Sequence, residues 1–116
     1  LSGKKVAVLG LAYRGGVKES AFSGTFDLVT EVKKHGGLPV VNDPLYSDLE
    51  LEKLGLESFT LGEGCDVAIL HTSHIEYRDL SPEDFLGCSL FFDGRNYAPE
   101  AIRSGMEYRS LAWKQE

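Results

Sequence analysis

The sequence has no surplus of positive charge: twelve Lys and Arg stand against eighteen Asp and Glu, a formal net charge of −6. Nucleic-acid binders neutralise phosphates with a basic surface, so this balance argues against one, and any phosphate site must be a local basic pocket on an acidic protein. Long apolar runs are also missing. The longest fall far short of the roughly 20 residues that cross a bilayer, and no basic-then-apolar signal peptide precedes them, so the chain reads as soluble and cytoplasmic, with no membrane partner. Cysteine is scarce. Cys65 and Cys88 are the only two, each just before a strand start in a chain with no secretory feature, which favours buried thiols over a disulfide or a reactive pair. Two glycine fingerprints are absent as well. Gly10-Leu11-Ala12-Tyr13-Arg14-Gly15-Gly16 has neither the Gly-x-Gly-x-x-Gly spacing that brings a dinucleotide pyrophosphate onto a helix start nor the Gly-Lys-Ser/Thr of a P-loop. An initiator methionine is missing too, and Leu1 leads almost at once into a strand, which reads as a piece of a longer protein.

What is present suits one domain over residues 1–116, since 42% apolar residues can fill a single core. Val6 to Leu9 is a short, β-branched apolar run closed by glycine, the pattern of a strand buried on both faces of a parallel sheet. Thr25 to Lys34 carries apolar residues at helical spacing, with Ser23 or Thr25 to cap it, cations in its last turn and Gly36-Gly37 as a stop. Leu38 to Val41 is a second strand closed by Asn42-Asp43-Pro44. Ser47 with Glu50 makes a capping box for a short helix to about Leu54. Residues 55–64 hold at most a short edge strand near Ser58 to Thr60. Further strands fall at Asp66 to His71, Ser89 to Phe92 and Glu107 to Ser110, with a helix opened by Ser81-Pro82 and another near Pro99 to Ser104. This alternation predicts an α/β fold, a three-layer Rossmann-like sandwich with a mainly parallel sheet of about five to six strands and helices on both faces.

Loops at the carboxyl ends of such strands bind ligands in open α/β sheets. The first carries Tyr13, Arg14 and Lys18 among glycines, so backbone N–H groups, positive charge and a flat ring can meet a phosphorylated ligand together; a structural loop is the other reading. Arg95, in Asp93-Gly94-Arg95-Asn96, emerges on the same edge after the fourth strand, where it either joins Arg14 on an anion or closes a turn with an Asp93 ion pair. Asp43 either takes a ribose hydroxyl or caps the proline turn. His71 and His74 lack the companions of a metal set, which favours structural or hydrogen-bonding roles. Ser73 lacks the elbow sequence of a nucleophile. The residues offer binding groups, with no nucleophile, base or metal set for catalysis.

Four of these stretches, in order, carry a resemblance: Gly10-Leu11-Ala12-Tyr13-Arg14 with Lys18-Glu19-Ser20, Asn42-Asp43-Pro44, Thr72-Ser73-His74-Ile75-Glu76-Tyr77, and Asp93-Gly94-Arg95-Asn96. With them the chain resembles the carboxyl-terminal UDP-binding domain of the UDP-glucose/GDP-mannose dehydrogenase family over nearly its whole length. The resemblance implies an NAD-dependent nucleotide-sugar 6-dehydrogenase of polysaccharide biosynthesis, which oxidises the sugar's primary alcohol to a carboxylate through a thioester on a cysteine outside this chain. It also implies an amino-terminal domain of the same protein that holds NAD, a homo-oligomer at full length, and an inactive fragment on its own. Residue by residue, Tyr13 and Arg14 match the aromatic-lysine pair that contacts the nucleotide sugar. Lys18 matches an arginine that reaches toward NAD, and Arg95 an arginine on the substrate's phosphates or sugar. The lysine and arginine of the family's loop are exchanged here, and Gly15-Gly16-Val17 shortens that loop. Dehydrogenases of N-acetylated UDP-sugars look similar at this loop, so the sugar stays open. The competing expectation is a stand-alone Rossmann-like regulatory or interaction domain without catalysis.

Overall fold

The computed structural model describes residues 2–12, 15–18 and 24–110. Val6, Ala7, Val8 and Leu9 are all buried, and their strand, β1 (Lys5–Leu9), is hydrogen-bonded on both sides. It pairs in parallel with β2 (Leu38–Asn42) and β3 (Val67–Leu70). Beyond β3 lie β4 (Leu90–Asp93) and β5 (Tyr108–Ser110), also parallel. The spatial order is β2-β1-β3-β4-β5. Five parallel strands meet the expected architecture.

Side chains alternate across the pleat, so the sheet builds a core on each face. Val6, Val8 and Val41 pack with Val29 and Val32 of α1 (Thr25–Lys34) and Leu51 of α2 (Asp48–Lys53). On the other face Ala7, Leu9, Leu70 and Phe91 pack with Tyr77, Phe85 and Ile102, the last from α3 (Glu100–Gly105). The layers are therefore helix, sheet and helix.

Several boundaries follow local chemistry. α2 opens on the expected capping box, Glu50 N–H donating to Ser47 Oγ and Ser47 N–H to the Glu50 carboxylate. α1 starts at Thr25 without a side-chain cap: the Thr25 hydroxyl donates to Gly10 C=O at 2.7 Å instead. Ser23 lies outside the described residues. Ser81-Pro82 opens only a 3-10 turn, Pro82–Asp84. A second such turn, Ile75–Asp79, sits where the sequence pattern suggested no helix. The expected edge strand is a single bridge between Ser58 and Val41, with Val41 N–H donating to Glu57 C=O and Phe59 N–H to Val41 C=O. That short pairing covers part of the outer edge of β2, where unpaired backbone would invite another strand.

Among the described residues no helix is long and apolar enough to cross a membrane.

Candidate functional site

In a doubly wound sheet of this strand order the chain leaves β1 toward β2 and later returns past it to β3, and the carboxyl edge at such a switch point is where ligands bind. Gly10 follows β1 there. Its φ of 113° lies in the region open to glycine, and an added Cβ would stand 2.3 Å from Thr72 Cβ and 2.7 Å from Thr72 N, so only glycine lets these two loops touch.

The loop that follows is pinned by buried polar groups. One Asp43 oxygen accepts from Leu11 N–H (2.7 Å), Ala12 N–H (2.9 Å) and His74 Nε2 (2.8 Å), while the other accepts from Leu45 N–H. Gly16 N–H donates to His74 Nδ1 at 3.0 Å. A backbone N–H can only donate, so Nδ1 accepts and the ring proton sits on Nε2, facing the carboxylate. Thr72 adds a bond from its hydroxyl to Ala12 C=O. Burial would raise the Asp43 pKa, but the His74 bond and the three backbone donors hold it below its ordinary 3.8. Asp43 therefore caps its proline turn and anchors the loop. With no exposed side-chain surface, its carboxylate is not open to a ribose hydroxyl.

Arg95 follows β4, one strand beyond β3 on the same edge. Asp93 accepts from the backbone N–H groups of Arg95, Tyr97 and Ala98 and from the Tyr108 hydroxyl, which turns the chain sharply at the end of β4. The Arg95 guanidinium makes no Asp93 ion pair. Its Nε donates to His71 C=O at 2.7 Å, and its two terminal nitrogens have no partner among the described residues. Beside it, His71 Nδ1 lies 3.0 Å from Thr25 Oγ1. Burial, and next the Arg95 charge, push the His71 pKa below its ordinary 6.5. His71 and His74 thus serve hydrogen bonds, and no metal cluster forms among the described residues.

Lys18 stands further out. Its ammonium pairs with Glu50 at 2.5 Å and lies 5.2 Å from the centre of the Tyr46 ring. Tyr13 and Arg14 lie outside the described residues. The arrangement places Arg95, the Gly15 to Lys18 segment and the histidines after β3 along one edge.

This edge does not make a dinucleotide cradle. α1 begins fifteen residues after Gly10 rather than directly on it, and the acidic group at the end of β2 is consumed by the protein's own backbone. The described residues do not fit NAD as their principal ligand.

Residues 7–100 match the model of the UDP-glucose/GDP-mannose dehydrogenase family, UDP binding domain. The chain belongs to this family. A UDP-D-ManNAc dehydrogenase from Pyrococcus horikoshii is 25% identical, with 95% of this chain matched to 26% of that one at a TM-score of 0.69. A UDP-glucose dehydrogenase from Pyrobaculum islandicum shares the fold at 22% identity and a TM-score of 0.75, over 97% of this chain and 26% of that one. The UDP-N-acetyl-mannosamine dehydrogenase Cap5O from Staphylococcus aureus shares it at 22% and 0.74, over 95% and 27%. The family domain spans about a quarter of these solved chains. No curated protein sequence matches this one.

The Asp43–His74 pair was missed by sequence reasoning. Thirty-one residues separate its members, and no local pattern signals which aspartate a buried histidine will meet.

Proposed function

We propose that the carboxyl edge of the sheet binds the nucleotide diphosphate of a UDP-sugar within an NAD-dependent nucleotide-sugar 6-dehydrogenase. Arg95 carries this reading: its guanidinium, on the loop after β4, is oriented through Nε by His71 C=O just after β3, and its terminal nitrogens are uncommitted among the described residues. That fork can take two oxygens of one phosphate. Membership of a UDP-binding domain family supports the choice of ligand, and the named relatives act on UDP-sugars. In this reading Tyr13 and Arg14 contact the nucleotide sugar from the loop held by Asp43 and His74. Lys18 exchanges Glu50 for a phosphate oxygen of NAD. An amino-terminal domain of the same full-length, homo-oligomeric protein holds the cofactor, which accepts hydride from the sugar's primary alcohol.

The test is a calorimetric titration of UDP into the full-length protein and its Arg14→Ala and Arg95→Ala variants. A hydrogen bond to a charged group contributes about 1.5–3 kcal/mol, so each variant is expected to bind roughly 10-fold to 100-fold more weakly. Unchanged affinity in the double variant would falsify this placement.

A further inference from the structure

The opposite edge of the sheet carries the chain's two cysteines. Cys65 comes two residues before β3 and Cys88 two residues before β4, and these strands are neighbours in which Val67 pairs with Leu90. Just before them, Gly64 bridges Leu86, one residue out of step with the main ladder. The extra residue on the β4 side is absorbed in a turn closed by Cys88 N–H donating to Phe85 C=O at 3.2 Å, with Gly87 at a φ of 75°. A turn with positive φ at its third position favours glycine there. Its effect is to bring Cys88 level with Cys65 on the same face of the sheet, where both join one apolar cluster. Neighbouring strands lie about 4.8 Å apart, a spacing within the Cα separations that a disulfide spans. Both thiols are free; Cys65 is buried and Cys88 half-exposed.

From this juxtaposition we infer that Cys65 and Cys88 form a dithiol site for reversible oxidation by a small disulfide such as oxidised glutathione, Cys88 attacking first and Cys65 resolving. The Cys88 thiolate attacks one glutathione sulfur, the S–S bond breaks and one glutathione thiolate leaves. The Cys65 sulfur then attacks Cys88 Sγ in the mixed disulfide and releases the second glutathione, which takes the Cys65 proton. The protein loses two electrons and two protons, and one disulfide becomes two thiols.

The asymmetry of the pair supports this order. Cys65 is buried, whereas Cys88 is half-exposed and its thiol donates to Leu90 C=O at 3.2 Å. A small disulfide therefore meets Cys88 first, and the thiolate formed there is the attacking species.

The experiment exposes the folded full-length protein to oxidised glutathione near neutral pH and follows peptides carrying residues 65 and 88 by mass. The wild type is expected to lose two hydrogens across a Cys65–Cys88 linkage, keep no glutathione there, and regain both thiols with dithiothreitol. Cys65→Ala should hold one glutathione on Cys88, while Cys88→Ser should leave Cys65 unmodified. Should a variant fail to fold, brief alkylation of the wild type with iodoacetamide gives the same ordering, with Cys88 labelled at least tenfold faster than Cys65. A wild type that keeps glutathione stably on Cys88, leaves both thiols free, or alkylates Cys65 first overturns the inference.

Discussion

Asp43, just after β2, and Asp93, at the end of β4, do related work on the same edge of the sheet. Each is buried, and each accepts from three backbone N–H groups and one side chain, so each turns a loop sharply while satisfying donors that burial would leave costly. Sequence reasoning ranked the turn role of Asp43 at least level with a ribose contact. Burial decides for the turn, because a carboxylate without exposed surface cannot reach a ligand. The titrating residues here also set a pH response. Folded His71 holds its proton less tightly than the unfolded ring does, so below about pH 6.5 the unfolded state binds more protons and stability falls as pH drops. Asp43 is depressed below 3.8, so its contribution is complete above that value and is lost as pH falls through its lower folded one. Urea midpoints measured from pH 8 downward should decline in both windows, and His71→Gln should flatten the decline between about pH 7 and 5. An equal slope in that variant removes His71 as the cause.

Among the elements, those whose signals are local were the legible ones. α1 spans the expected residues and α2 opens on its capping box, because periodicity and caps act within one or two turns. The helix expected at Ser81-Pro82 stops after one 3-10 turn: the chain must turn again at Gly87 to align β4 with β3, a demand that comes from the neighbouring strand. The Gly10 corner makes the same contrast measurable. Ser47→Ala removes one cap and should cost about 1 kcal/mol. Gly10→Ala places a Cβ against the Thr72 backbone at a φ hostile to side chains, and should cost more than about 3 kcal/mol by denaturant unfolding. Similar values for the two variants would mean that the β1 and β3 loops move apart easily and do not form a fixed corner.

At the scale of the whole molecule, the order β2-β1-β3-β4-β5 is what converts scattered motifs into one edge. The Gly10 loop, Thr72 to His74 and Arg95 are far apart in sequence, yet all follow parallel strands and so emerge together. The shared edge could be read from strand and helix alternation; the contacts across it could not, since they depend on which loops fold back to meet. The two ends of the sheet then separate in chemistry, with the Arg95 guanidinium at the carboxyl edge and a thiol pair at the amino edge. Hydrogen–deuterium exchange of the full-length protein with and without saturating UDP tests the central claim most directly. Ligand at the proposed edge should slow exchange at residues 15–18, 71–74 and 94–98 and leave residues 64–66 and 86–89 unchanged. Protection confined to the cysteine edge, or absent from all of these segments while UDP is bound, would contradict the account.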